Sequence, residues 1–153
     1  MDFRDFLRHH LATLAYRTRL AIDNAPMGFE DFEAGLEVRT PGQILNHINV
    51  ILGFSKASYI GEKYELLEDL SWLEAIEEFH ALLGQFDNAI QLGEPPDDDK
   101  LRQIYQGPLA DAMTHAGQLM MLRRLAGSPV PTPNFFKADI RAGQLEPRPA
   151  GMK

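Results

Sequence analysis

Residues 40–61 read TPGQILNHINVILGFSKASYIG and carry a complete set of signals for one amphipathic helix. Thr40 can cap this helix, Pro41 suits its first position, and Gln43 stands where a capping box needs it. Apolar side chains then recur every three or four residues until Gly61 ends the pattern. The inward stripe consists of Ile44, His47, Ile48, Ile51, Phe54, Ser55 and Tyr59. The stretch therefore predicts a packed helix whose inner face includes a histidine.

Three further segments show the same helical period. They run over roughly residues 2–24, from Ser71 to Gly93, and from Asp97 to Leu125. A glutamate three residues after Ser71 predicts a second capping box. Three aspartates open the last segment, where the helix dipole favours negative charge. Because no run alternates long enough to build a sheet, the sequence predicts four helices.

The pair Gly107-Pro108 interrupts the last of these segments one turn before Asp111. Proline removes a backbone hydrogen bond and clashes with the preceding turn of a helix. The segment is therefore either one kinked helix or a short helix followed by a second one, and we favour the kink. In both cases a bend at Pro108 would direct the Asp111 carboxylate into the bundle.

Together these segments predict an all-α fold, a four-helix bundle with a long second connection. The bundle domain is expected to cover residues 1–127. Residues 128–153 are rich in proline and glycine, and they predict an irregular C-terminal extension that packs on the bundle. One short helix is expected in it, near residues 134–142.

Composition excludes several classes of function. The chain has 153 residues, a formal net charge of -7, and 15 basic residues scattered among 22 acidic ones. Because phosphate contacts need clustered lysine and arginine, no nucleic-acid surface and no anionic-membrane surface is expected. No apolar run reaches the length of a membrane span, and acidic residues near the start argue against a secretory signal. We therefore expect a cytoplasmic protein.

Asp111 and His115 are four residues apart, so on a helix their side chains project from one face about a turn apart. A carboxylate and an imidazole at this spacing can close on one divalent ion, and His47 would complete the set. Since the chain has no cysteine, the three residues predict a site for a divalent transition metal, Zn, Ni, Mn or Fe. Three ligands would leave one position open for water or substrate.

Each of these ligand candidates also has a structural interpretation. His47 can be an ordinary core histidine, and Asp111 with His115 can be a solvated ion pair. Leu119 and Leu122 continue the stripe of this pair and are expected to face the core. Asp111 is then expected to be buried as well, where it needs a cation or a hydrogen-bond donor.

The two helices with the candidate ligands resemble the DinB/YfiT-like family of metalloenzymes. That family is a four-helix bundle whose metal is held by one histidine of the second helix and two residues four apart on the last, followed by a Gly-Gln pair. The chain is similar at His47, Asp111 and His115, and a Gly-Gln pair ending at Gln118 follows. The commoner family form has histidine where Asp111 stands, so the ligand shell here is anionic. The resemblance covers roughly residues 1–127.

This resemblance implies a metal-dependent enzyme that acts on a small-molecule substrate, by hydrolysis or by thiol-dependent transfer. The reaction, the substrate and the identity of the metal stay open. The alternative is a non-catalytic helical bundle with a structural metal or a buried polar network, which acts as an interaction or stress-response protein. A metal site that opens on a cleft favours the enzyme, and a closed shell without a cleft favours the alternative.

Other polar residues near the predicted site are weaker candidates. His10 lies on the apolar face of the first helix and is either a fourth ligand, an acid-base group or a packed core residue. Gln118 is expected to orient a ligand by a hydrogen bond rather than to bind the metal. Arg123 and Arg124 either bind an anionic substrate or respond to the negative end of the helix dipole.

Members of this family commonly form dimers, and the chain has more apolar side chains than one bundle core needs to bury. Met113, Met120 and Met121 are expected either to fill the core or to contact a second copy from the outer side of the last helix, beside an aromatic-rich first helix. We therefore expect a homodimer. The expected partners are thus a second copy of the chain and a small-molecule substrate.

Overall fold

The computed structural model describes residues 1–146, which are all-helical without a strand. They form a four-helix bundle, and the fourth helical segment has two α-helical parts joined by a π-helical turn. The elements are α1 (Phe3–Ile22), a 3₁₀ turn (Phe29–Asp31), α2 (Pro41–Ile60), α3 (Trp72–Leu92), α4 (Asp98–Ile104), the π turn (Tyr105–Leu109) and α5 (Ala110–Leu125). No helix in this described range is long and apolar enough to cross a membrane.

The predicted caps of α2 and α3 are confirmed. Thr40 accepts a hydrogen bond from the backbone N–H of Gln43, whose side chain accepts the Thr40 N–H in return. Ser71 and Glu74 form the same reciprocal box. Both boxes satisfy N–H groups that a first helical turn leaves without partners. Gly61 ends α2 with a φ of 74°, a left-handed conformation that suits glycine.

The interruption at Gly107-Pro108 is a π turn inside one continuous helix. Backbone angles are right-handed at Ile104, Tyr105, Leu109 and Ala110, so α4 and α5 are parts of one helix, as the favoured prediction of one kinked helix requires. The Ala110 N–H reaches back five residues to the Tyr105 carbonyl. This wider turn accommodates the Pro108 ring, which a regular α-helix would bring against a carbonyl of the preceding turn.

Helix α1 runs antiparallel to α3 and parallel to α5. The contacts that give these directions are Arg4 with the Gly93 carbonyl, Arg8 with Asp87, Phe6 with Tyr105, and Arg123 with the Ala21 carbonyl. From Arg4 to Arg8 the partner changes from Gly93 to Asp87, so α3 runs in the opposite direction to α1. From Phe6 to Ala21 the partner changes from Tyr105 to Arg123, so the fourth helical segment runs in the same direction as α1. These side-chain contacts therefore establish the relative directions of the helices independently of the loops that join them.

Helices α2 and α3 run parallel, because their contacts advance in the same direction along both. Asn46 exchanges hydrogen bonds with the backbone of Leu70, and Lys56 donates to Gln85 further along. The connection between them, residues 61–71, must therefore return along most of α2, a 20-residue helix that is about 30 Å long. Since an extended chain of eleven residues reaches about 36–40 Å at most, the connection has little slack. The expected long second connection is confirmed.

One core of buried leucine, isoleucine, alanine and aromatic side chains lies between the helices. Met113 and Met120 pack partly buried against this core, which agrees with the core-filling alternative for these two methionines and not with a position on the outer side of the last helix. Met121 is the exposed one of the three, at 64%. The last helix therefore leaves less apolar surface for pairing than its sequence indicates.

The C-terminal extension packs on the bundle as an irregular segment. Arg123 holds its start by donating to the Ser128 carbonyl and hydroxyl, and Phe135 packs edge-on against a tyrosine of α1. Leu145 packs against the core. The remainder of the predicted extension, residues 147–153, lies outside the described residues.

The short helix expected near residues 134–142 is absent from the described structure, which has turns there. The Asn134 side chain accepts hydrogen bonds from the backbone N–H groups of Phe136 and Lys137. Such a local bond gives the backbone partners outside a helix. Gly143 then adopts a φ of 81°, which ends any regular continuation.

The ion pair between Arg8 and Asp87 is expected to contribute to stability. Its two hydrogen bonds are 2.9 and 3.0 Å long, its side chains are 19% and 10% exposed, and the hydrogen bond to Asp87 raises the pKa of Arg8. Arg8→Met keeps the apolar stem but leaves the carboxylate without its partner. The free energy of unfolding, measured in urea, is therefore expected to fall by about 2 kcal/mol.

Arg102→Met is the matched control for this measurement. Its guanidinium pairs with Asp99 where both side chains are largely exposed, at 69% and 87%. Solvent screens such a pair, so the expected loss is below about 0.5 kcal/mol. Equal losses in the two variants would contradict the assigned role of the Arg8 pair.

Candidate metal centre

The three predicted ligands meet where α2 packs against α5. The Asp111 carboxylate lies between the two imidazoles, with Oδ2 3.6 Å from His47 Nε2 and Oδ1 3.4 Å from His115 Nε2. One ligand atom from each residue lies within 4.8 Å of the other two. The two histidine rings meet edge to face with their centroids 4.7 Å apart. The three side chains thus form a cluster that could hold one metal ion.

Gln118 sets the position of the proton on the neutral His115 ring. Its Oε1 lies 2.7 Å from His115 Nδ1 and can only accept a hydrogen bond, so Nδ1 carries the proton. The other nitrogen, Nε2, then presents a lone pair toward Asp111 Oδ1, which has only lone pairs to offer. Two facing acceptors need a donor or a cation between them, which a water molecule, an added proton or a metal ion can supply. Gln118 therefore has the orienting role that its spacing predicts.

The spacing of these acceptors suits a divalent transition metal. Two ligands that each bind at about 2.0–2.2 Å in tetrahedral geometry lie roughly 3.4 Å apart. The separation of 3.4 Å between Asp111 Oδ1 and His115 Nε2 and that of 3.6 Å between Asp111 Oδ2 and His47 Nε2 are each close to that value, and they involve the two different oxygens of the carboxylate. Two imidazoles and a carboxylate are also a donor set that Zn, Ni, Mn and Fe accept. Both the geometry and the chemistry of the cluster therefore fit the predicted cofactor.

The three side chains differ in exposure, with His115 at 10%, His47 at 31% and Asp111 at 49%. The expectation that Asp111 is buried was therefore wrong. Eight residues along a helix rotate the side chain by about 80° beyond two full turns, so Asp111 lies at the edge of the stripe that buries Leu119. The argument for a cation therefore rests on the facing acceptors of the cluster, and not on burial of the carboxylate.

Burial lowers the pKa of His47 below its ordinary value. The positive charge of Arg39 and the neighbouring His115 lower it further, and the Asp111 carboxylate opposes them only in part. A lowered pKa keeps the imidazole neutral at neutral pH, which is the form that binds a metal.

Asp111 also lines a cleft of about 760 Å³ beside the cluster. The other walls are mostly apolar and come from α2, from residues 61–71, from the π turn and from α5. They include Val50, Phe54, Tyr64, Leu66, Pro108 and Thr114. Asp111 is the one charged side chain among the described lining residues. A molecule in this cleft would therefore meet the carboxylate edge of the cluster on one side and apolar walls on the others.

Sequence patterns did not reveal the wall that Tyr64 forms, because this residue lies in a connection without helical period. The available signal was Gly53, a glycine in the middle of a helix. A β-carbon at this position would lie 2.6 Å from Tyr64 Cε2, so only glycine admits the ring without a shift. Tyr64 then packs edge-on against Phe54 of the same helix.

The remaining candidates lie apart from the cluster. His10 packs edge-on against Tyr105, and burial lowers its pKa, in agreement with a packed core residue. Arg123 is buried and donates to backbone carbonyls at the ends of α1 and α5, and Arg124 donates to Thr132. Both arginines therefore secure the end of the helix and the start of the extension.

Comparison of the chain with models of protein families, with curated proteins and with solved structures gives no match. The resemblance to the DinB/YfiT-like family therefore rests on the spacing of the candidate ligands and on the helical architecture. The chemistry of the cluster follows from its own contacts.

Protein exposed to Zn, Ni or Mn is expected to retain one ion per chain in elemental analysis, because the cluster offers one set of converging acceptors. His47→Ala and His115→Ala each remove a ligand and should weaken binding by about 100-fold or more, whereas Gln118→Leu, which removes only the orienting hydrogen bond, should weaken it about tenfold. His9→Ala changes an exposed histidine on α1 and serves as the control. Substoichiometric metal with all three ions would refute the site.

The same titration repeated against pH tests whether imidazoles are the ligands. Neutral imidazole binds the metal and protons compete for it, so affinity should be constant from pH 7 to 8 and fall below about pH 6. The lowered pKa of His47 moves this fall toward acid pH, and not toward alkaline pH. A flat affinity across the whole range from about pH 5 to 8 would count against histidine ligation.

Proposed function

We propose that the chain is a metal-dependent enzyme of the DinB-like type, which acts on a small and largely apolar substrate by hydrolysis or by thiol-dependent transfer. One observation carries the proposal: Asp111 belongs both to the ligand cluster and to the wall of the cleft. Catalytic metal sites use three protein ligands and keep a position open, whereas structural sites are closed. A three-ligand cluster with one half-exposed member on a cleft has the first arrangement.

The substrate class follows from the walls of the cleft. Phe54, Tyr64 and Leu66 would contact an apolar group, and the described lining holds no cationic side chain that would attract an anion. A bound divalent ion would supply a water of lowered pKa or hold a thiol as thiolate. Asp111 and the two histidines would place that chemistry at one edge of the cleft, and Gln118 would keep the His115 ring turned toward it.

Binding of a thiol to the Co²⁺-loaded protein tests whether the ligand shell is open. Benzenethiol is expected to add a thiolate-to-metal absorption band, and to bind more tightly than 2-mercaptoethanol because the cleft walls are apolar. Gly53→Ala, which displaces Tyr64 but leaves the ligands in place, should reduce this preference without loss of metal. An unchanged spectrum with both thiols would contradict an open site.

Thermal melting of wild type and Asp111→Asn, each with and without chelator, separates a functional metal from a structural one. The variant keeps the shape of the side chain and removes its charge, so metal content should fall while the melting temperature stays nearly unchanged. A structural metal contributes directly to the free energy of folding, so a collapse of both apo protein and variant would support the alternative. Unchanged metal content in Asp111→Asn would remove this residue from the ligand set.

We also propose that the protein acts as a cytoplasmic homodimer. Phe3, Phe6 and Tyr105 lie together at the junction of α1 with the π turn and remain 36%, 42% and 42% exposed, which gives an apolar patch for pairing. Light scattering at micromolar concentration should give about twice the chain mass of 17.2 kDa. Phe6→Glu should reduce the measured mass to that of one chain, whereas a wild-type mass near 17.2 kDa would contradict pairing.

A further inference from the structure

A second cavity, of about 550 Å³, lies between α1, the end of α5 and the C-terminal extension. It shares no lining residue with the metal cluster or with the cleft beside it. Apolar side chains form most of its wall, among them Leu20 of α1 and Val130, Ile140 and Leu145 of the extension. A volume and a lining of this kind are typical of sites that enclose a small molecule.

The two cationic side chains of this wall are buried and already bonded. The side chain of Arg19 is 9% exposed and donates to Asp23 at 2.9 Å. Arg123 is 4% exposed and donates to the backbone carbonyls of Ala21, Asp23 and Ser128. A molecule in the cavity would therefore meet little of either guanidinium group.

The carboxylates of the same wall, in contrast, are exposed. The side chains of Asp23 and Asp139 are 44% and 43% exposed, although Asp23 pairs with Arg19 and Asp139 pairs with Arg141. Glu146 is also exposed, and it has no ion pair or hydrogen bond within the described structure. The lining residues carry two positive and three negative charges, so the wall has a net charge of -1, and the accessible charge is negative.

We propose that this cavity binds a small organic cation, an apolar aromatic body with one ammonium group that pairs with Glu146. The body would lie against the aliphatic wall and beside the ring of Tyr16. Ammonium is purely a hydrogen-bond donor, which suits a wall whose accessible charged groups are acceptors. An anion would meet exposed carboxylates, and an uncharged molecule would place an apolar body beside Glu146 without a counter-charge.

Three compounds that share one aromatic body and differ in charge at neutral pH test this assignment by NMR titration of the full chain. They are 2-(1-naphthyl)ethylamine, 2-(1-naphthyl)ethanol and 3-(1-naphthyl)propionate. The amine is expected to shift the amide signals of wall residues such as Ala12 and Ala15, and to bind about fivefold more tightly than the alcohol. The propionate is expected to bind more weakly than the alcohol. In about 1 M NaCl the Debye length falls to about 3 Å, so the preference for the amine should nearly disappear.

Variants test whether Glu146 is the group that selects the charge. Glu146→Gln keeps the size of the side chain and removes its charge, so it should weaken the amine to the affinity of the alcohol and leave the alcohol unchanged. Glu94→Gln, at an exposed glutamate outside this wall, is the matched control and should change neither affinity. Ile140→Trp enlarges a residue of the wall and should weaken all three compounds, because it fills the space that the aromatic body needs.

Four results would overturn the assignment. No shift with any compound up to its solubility limit would mean that the cavity holds only water. Equal affinity for all three compounds would mean that apolar contact alone governs binding, and tighter binding of the propionate would mean that the guanidinium groups govern it. Equal weakening of the amine and the alcohol by Glu146→Gln would mean that Glu146 acts through packing of the extension. Because Glu146 is exposed, its variant carries the test even if Ile140→Trp displaces the extension.

Discussion

The parallel direction of α2 and α3 is the constraint on which the rest of the structure depends. Two parallel helices cannot be joined by a short turn, so residues 61–71 must return along α2 in an extended form. This return path lays Tyr64 over Gly53 and builds one wall of the cleft beside Asp111. The same connection that closes the bundle therefore also forms one wall of the cleft that Asp111 lines.

The formation of the ligand cluster depends on which way the side chains of the last helix are rotated about its axis, as well as on the packing of α5 against α2. A π turn inserts one additional residue relative to a regular helix, which rotates the following side chains by about 100° with respect to the preceding ones. The turn at Pro108 thereby sets the face on which Asp111 and His115 meet His47 of α2. Gln118 then holds the His115 ring so that its lone pair points to the carboxylate. Backbone geometry and one hydrogen bond thus produce the facing acceptors.

The ligand cluster differs from the ordinary charged pairs of the bundle. Arg8 and Asp87 satisfy each other with two hydrogen bonds, so this pair needs no further partner. In the cluster, by contrast, the His115 and Asp111 acceptors face each other. Buried polar atoms without a hydrogen-bond partner also occur outside the cluster, for example on Thr18 and Asn49, so such an atom does not by itself indicate a ligand site.

Local sequence signals, each of which spans only a few residues, were sufficient to predict the four helices, the caps at Thr40 and Ser71, and the interruption at Pro108. Caps, prolines and apolar periods act through local hydrogen bonds and sterics, which any chain with this sequence must obey. The grouping of His47 with the pair on α5 was also predicted, although only from spacing and resemblance. Tertiary structure alone decided the helix directions, the exposure of Asp111, the cleft and the second cavity. Each of these depends on contacts between segments far apart in the chain, and helical periodicity specifies which face of a helix is apolar but not which neighbour covers it.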